Sequence, residues 1–121
     1  SFLSKYKKFK LLYPYKKDSK NFRLWKKYYS GASGLMGLKI KSKDINSVRK
    51  FVNSLRLFGY GYSWGGFESL IIPASPKDYR TATNWDERGQ VLRVHAGLED
   101  IDDLIDDLGA GLDRLTDISS V

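Results

Sequence analysis

A chain of 121 residues with 41% apolar and 14% aromatic side chains is long enough for one domain with a buried core, and too apolar for disorder. It has no cysteine and a single histidine, His95, which excludes a disulfide framework, a thiolate nucleophile and any cysteine-based or multi-histidine metal site. The net charge of +7 hides a segregation: residues 1 to 60 carry sixteen Lys/Arg against two acids, and residues 61 to 121 carry five against twelve.

No stretch approaches the roughly 18 apolar residues of a membrane span, and Lys5, Lys7, Lys8 and Lys10 interrupt any signal-like apolar run. A membrane is therefore not an expected partner, and the lack of cysteine suits a reducing cytoplasm. A start at Ser1-Phe2-Leu3-Ser4 rather than at methionine reads as a piece of a longer polypeptide.

Residues 1 to 9 show no clear period and read as the tail of a preceding element. Lys10 to Tyr13 form a short extended segment before Pro14, because the residue preceding a proline avoids the helical region. Asp18 or Ser19 is placed to cap a helix from Lys20 to Tyr29, with Phe22, Trp25 and Tyr29 on one core-facing stripe. Ser30 to Gly34 break it. Leu35 to Lys41 alternate as a half-buried strand, Met36, Leu38 and Ile40 on one side and Gly37 and Lys39 on the other.

Ser42 or Asp44 then caps a helix whose stripe is Ile45, Val48, Phe51, Val52 and Leu55. A glycine-rich loop over 59–66 leads into a strand from Phe67 to Ile72, and a helical turn is expected near Lys77 to Arg80. In the strand Gln90 to His95, Leu92 and Val94 share one face while Val91, Arg93 and His95 share the other. The last helix starts at Glu99 and Asp100 and buries Ile101, Leu104, Ile105, Leu108, Leu112 and Leu115; its aspartates 102, 103, 106 and 107 read as a solvated face. This order implies a single α+β domain over 1–121, a small mixed or antiparallel sheet with helices packed on it.

Two features carry chemistry. Tyr60-Gly61-Tyr62-Ser63-Trp64-Gly65-Gly66 puts three glycines beside three flat aromatic rings, with the Ser63 hydroxyl at its centre, where a hydrogen bond to a ligand would be sheltered from water. Arg93 lies mid-strand between apolar neighbours. A guanidinium there is costly unless it meets an anion, and its fork matches a carboxylate with two parallel hydrogen bonds. The alternatives are an internal salt bridge or a solvent-facing arginine.

His95 reads as a packed, hydrogen-bonded histidine before a general base, since no nucleophile is tied to it by spacing. The basic first half, with Tyr6, Tyr13, Tyr15, Trp25, Tyr28 and Tyr29 among its lysines, would also suit a module for single-stranded nucleic acid. No RNA-binding signature, phosphate loop, dinucleotide fingerprint or zinc motif supports that. A purely structural domain is a third reading.

The glycine-rich stretch running on to Phe67-Glu68-Ser69-Leu70, followed by Leu92-Arg93-Val94-His95-Ala96-Gly97-Leu98-Glu99-Asp100, resembles the C-terminal domain of the pyridoxal-phosphate-dependent enzymes of cysteine and methionine metabolism. The resemblance extends upstream through Leu12-Tyr13-Pro14, Trp25-Lys26 and Ser30 to Gly34. The Ser-Trp-Gly-Gly and Arg-Val-His wording leans to the cystathionine β-lyase branch rather than to γ-lyase or γ-synthase relatives.

What the resemblance implies is a carbon-sulfur lyase that splits cystathionine into homocysteine, pyruvate and ammonia. Arg93 would clamp the substrate α-carboxylate, Trp64 would help hold it, and Ser63 would hydrogen-bond near the cofactor-bearing lysine. That lysine belongs to the family's large domain. Lys5, in Ser4-Lys5-Tyr6, is followed by Lys7-Lys8-Phe9 instead of glycine-histidine-serine and is rejected for the role. The chain would thus hold no catalytic, cofactor-binding or metal residue of its own. It would be inactive alone, partner an N-terminal cofactor-binding domain, belong to a homotetramer when complete, and bind no nucleic acid.

Overall fold

The computed structural model describes residues 2–41, 44–85 and 89–118. After a short 3-10 turn at Phe2–Lys5, strands β1 (Phe9–Leu12), β2 (Leu35–Ile40), β3 (Gly59–Tyr60), β4 (Leu70–Ala74) and β5 (Gln90–His95) form one sheet in the order β1-β2-β5-β4-β3. Helices α1 (Phe22–Tyr28), α2 (Ile45–Asn53), α3 (Pro76–Tyr79) and α4 (Ile101–Ile118) punctuate it. All pairings are antiparallel except β3 with β4, so the sheet is mixed, in an α+β chain as its pattern implies.

β5 is the central strand, paired over its whole length to β2, with Gly37 opposite Arg93 and Leu35 opposite His95. Because side chains alternate across a strand, one face of the sheet presents Leu38, Ile40, Ile71, Leu92 and Val94. Val48, Phe51 and Val52 of α2 and Leu104, Leu108, Leu112 and Leu115 of α4 cover that face and complete the core. Each such side chain contributes on the order of 1.5–3 kcal/mol when fully buried. The opposite face carries Ile72, Val91, Arg93 and His95, and it is there that the glycine-rich turn lies.

Local chemistry sets the boundaries. Asp44 caps α2, accepting hydrogen bonds from the Asn46 and Ser47 amides; Ser42, the other expected cap, lies outside the described residues. Ile45 is more exposed than the stripe predicted, while Leu55 packs against the core from its rim. Asp100, not Glu99, caps α4, its Oδ1 accepting from the Asp102 amide at 2.9 Å. Ile101 is correspondingly exposed. Pro73 is tolerated inside β4 because two-residue β3 flanks only Leu70 and Ile71, which leaves Pro73 on an open edge where no amide is needed.

Tyr6 and Phe9 belong to the core: both are buried, and Tyr6 packs edge-on against Phe2 and Phe9. Two expectations need correction. Helix α1 buries no residue, and its N-cap is Asn21 rather than Asp18 or Ser19. Phe22 and Trp25 stack on each other, Tyr15 meets Trp25 edge-on at 4.7 Å, and Tyr29 is exposed. The aromatic spacing thus serves a satellite cluster outside the main core, with these rings paired to one another rather than splayed as platforms. Lastly, β4 starts at Leu70 and not Phe67, and residues 59–60, read as loop, form β3.

Among the described residues no helix is long and apolar enough to cross a membrane.

Candidate functional site

Parallel neighbours cannot be joined by a tight hairpin, so the chain leaving β3 at Tyr60 must travel back before it can enter β4 at Leu70. Residues 61–69 make that return, and they do so over the face of β5 that presents Arg93 and His95. Topology therefore brings together the turn and the strand singled out from the sequence.

The contact is made through backbone. Arg93 Nη2 donates to the carbonyls of Gly61 (3.4 Å), Tyr62 and Ser63 (3.2 Å). The guanidinium is half-buried and has no carboxylate in ion-pair range among the described residues. Nε and Nη1 likewise have no hydrogen-bond partner among them. Among the described residues Arg93 thus neither forms an internal salt bridge nor faces bulk water with its whole guanidinium. The positive charge is met at Nη2 by three carbonyl dipoles, while Nε–H and Nη1–H stay available as charged donors to an anion.

Two residues along the strand, His95 is 6% exposed. Its Nε2 lies 3.2 Å from the Gly65 amide and 3.1 Å from the Gly66 carbonyl. Gly65 takes φ +82°, a conformation that costs a side-chain-bearing residue and costs glycine nothing. Ser63 and Trp64 form the crest between these two anchorages. The crest is open: Trp64 is 60% exposed, and Tyr60, Tyr62 and Phe67 stand out from the turn with it. Ser63 is exposed as well, so its hydroxyl is not sheltered as expected, because no element among the described residues packs over the crest.

The far end of the turn is clasped to the start of α4. Ser69 is 1% exposed; its amide and hydroxyl donate to Glu99 Oε1 and Oε2 at 2.9 and 2.7 Å, and its Oγ accepts from the Gly97 amide at 2.8 Å. These bonds, the Ser69 amide first, hold the Glu99 carboxyl below its usual range. Leu98 N–H donates to the Phe67 carbonyl at 2.8 Å. Gly97 has to be glycine here, because a Cβ would meet Glu68 C at 2.6 Å.

Sequence reasoning missed this clasp, having read Glu99 as a helix starter. The signal available was a serine directly ahead of an apolar strand with an acid at the mouth of the next helix. It also placed Asp107 on a solvated face. Asp107 instead accepts from the consecutive amides of Arg56, Leu57 and Phe58, at 2.9, 2.8 and 3.4 Å, and so fixes the entry to β3.

Residues 1–113 match the profile of a family described as Cys/Met metabolism PLP-dependent enzyme. The chain is 41% identical to cystathionine β-lyase MetC of Escherichia coli (strain K12) over 101 residues, 80% of this chain and 26% of that protein. It is 39% identical to an L-alanine/L-glutamate racemase of Wolbachia pipientis wMel over 108 residues, 88% of this chain and 27% of that protein. Its fold superposes on a cystathionine γ-synthase from Xanthomonas oryzae pv. oryzae, solved in complex with cystathionine, with a TM-score of 0.71 and 30% identity over 89% of this chain and 29% of that one. The chain therefore spans about a quarter of the length of the curated relatives it matches.

Proposed function

Since the chain belongs to the Cys/Met metabolism PLP-dependent enzyme family, we propose that it forms the acid-gripping end of the substrate site in a carbon-sulfur lyase of the cystathionine β-lyase type. The reaction is cleavage of cystathionine to homocysteine, pyruvate and ammonia in methionine biosynthesis. The observation that carries this reading is Arg93: a half-buried guanidinium, anchored at Nη2 by carbonyls and without a carboxylate partner among the described residues, beside an open crest bearing Ser63 and Trp64. Its remaining donors, Nε–H and Nη1–H, and its charge hold the substrate α-carboxylate, the Trp64 indole shields that ion pair from water, and the Ser63 hydroxyl supplies a further donor.

Holding the amino acid at this end fixes the orientation of its Cα bonds, which converts a loose encounter into an oriented one. The donors gathered at the crest suit a carboxylate. They do not suit anchoring of pyridoxal phosphate, which falls to an N-terminal domain of the same enzyme, in a homotetramer. That cofactor, when bound, supplies the electron sink for bond breaking at the substrate carbons. On this reading the chain alone neither holds the cofactor nor turns over substrate.

The test is steady-state kinetics on the full-length protein, following pyruvate release from L-cystathionine. Arg93→Lys, which keeps charge but loses the fork, is expected to lower kcat/KM by about 10²-fold. Unchanged kinetics would remove the arginine from the site. The 39% identity to an alanine/glutamate racemase supports a second reading, in which the same carboxylate grip serves inversion at Cα. Release of D-alanine from L-alanine without pyruvate from cystathionine selects it, whereas release of cysteine and 2-oxobutyrate from cystathionine without pyruvate indicates a γ-type relative.

A further inference from the structure

His95 is a buried polar ring whose hydrogen bonding runs through one atom. Nδ1 is sealed from solvent with no partner among the described residues, while Nε2 faces Gly65 and Gly66. Sinking an imidazole nitrogen without a partner costs on the order of 1–3 kcal/mol, and an apolar side chain at this position would avoid that cost. The ring's polar contacts therefore make sense only through what Nε2 does. In either neutral tautomer it engages the turn: bare, it accepts from the Gly65 amide; carrying the proton, it donates to the Gly66 carbonyl.

Among the described residues the next hold on this side of the crest is the Phe67 carbonyl, which accepts from Leu98 N–H at 2.8 Å. A Cβ placed on Gly65 or Gly66 would meet no atom within 4 Å, so side-chain packing does not fix these two residues. On the other side of the crest Arg93 gathers residues 61–63. The two side chains come from alternate positions of one strand that is itself locked between β2 and β4, the most rigid mount the fold offers.

We infer that His95 is a positioning residue: by pinning Gly65-Gly66 it fixes Trp64 at the crest beside Arg93, so that the acid site is assembled before substrate arrives. Arg93 and His95 are thus a two-point clasp, and Ser63-Trp64 is the span stretched between them. This rests on the proposed role of Arg93, yet its physical core, an ordered crest, is measurable without any turnover.

With Trp25 and Trp85 changed to phenylalanine, Trp64 is the sole tryptophan, and its fluorescence anisotropy decay and acrylamide quenching report the order of the crest. His95→Phe keeps a flat ring but removes Nε2, and acrylamide quenching of Trp64 is expected to rise about twofold, with faster local rotation. His95→Gln, which restores a polar terminus, is expected to recover much of the order. In the full-length protein His95→Phe is expected to raise KM for L-cystathionine about tenfold with a smaller change in kcat, the pattern of a loosened binding edge.

Unchanged Trp64 order in a folded His95→Phe chain overturns the inference. Should that variant not fold by circular dichroism, cross-relaxation between the imidazole protons and the Gly65-Gly66 protons in the unaltered chain decides instead: its presence supports the pin and its absence overturns it. Loosening of Trp64 by His95→Phe together with normal cystathionine kinetics in Arg93→Lys would uphold the pin and sink the carboxylate assignment.

Discussion

Asp107 puts a full negative charge against three consecutive backbone amides, an arrangement that satisfies donors a loop entry would otherwise leave to solvent. Asp107→Asn keeps the shape but turns an acceptor-only group into one that also presents N–H to N–H. A loss of about 1–3 kcal/mol in urea unfolding is expected, and a smaller loss than in Asp102→Asn, on the exposed side of the same helix, would refute the assignment. Tyr6 makes the same point in the opposite pH direction. Burial, with the nearby Asp113, pushes its hydroxyl up to about 12 from 10.0. The unfolded chain therefore gives up this proton first, so stability is intact below pH 10 and falls by ~1.4 kcal/mol per pH unit toward 12. Tyr6→Phe should flatten that part of the profile in denaturant titrations across alkaline pH.

At the scale of elements, the close meeting of α2 and α4 is written in Gly111. A Cβ there would lie 2.7 Å from Leu55 Cδ2 and 2.9 Å from Phe51 Cε2, and Phe51 is too deeply buried to move aside. Gly111→Ala gains about 1 kcal/mol of helix propensity against roughly 1–3 kcal/mol of overpacking, so a net fall in melting temperature is expected. A rise would mean the helices are not in contact at this point.

The helices and strands with the strongest periods were legible in the sequence, because β2, β5 and α2 each show one period and α2 also carries a capping aspartate. Helix α1 was not, since rings at spacings of three and four pack equally well on each other or on a core. The start of β4 was obscured because Phe67 and Ser69 look strand-like, yet their polar groups are used by Leu98, Gly97 and Glu99. At the site, Arg93 and the turn stood out by composition, but their meeting depends on a parallel β3–β4 pair that no local pattern encodes. The same is true of His95 Nε2, whose partners lie about thirty residues away in the chain.

Across the whole molecule the segregated charge is held in place by carboxylates the fold keeps ionised. The Ser47 hydroxyl, with the Asn46 and Ser47 amides, holds the Asp44 carboxyl below its usual range; the Ser69 amide and hydroxyl do so for Glu99. A carboxyl depressed in the folded state binds a proton more readily once unfolded. Its contribution is therefore complete above the ordinary values of 3.8 for Asp and 4.5 for Glu, and is lost as pH falls through the lower, folded-state values. Acid also strips negative charge from a chain that carries 21 Lys/Arg against 14 Asp/Glu, and self-repulsion adds to the loss. Urea unfolding at pH 7, 5 and 3 is expected to show a steep drop only below pH 5. Glu99→Gln should start less stable at pH 7 and show a shallower acid drop, because the group that titrates at the clasp is gone. Parallel pH curves for the two proteins would mean that the Ser69–Glu99 clasp does not contribute to folding, and that the turn and the helix mouth are joined by the Leu98–Phe67 and Gly97–Ser69 bonds instead.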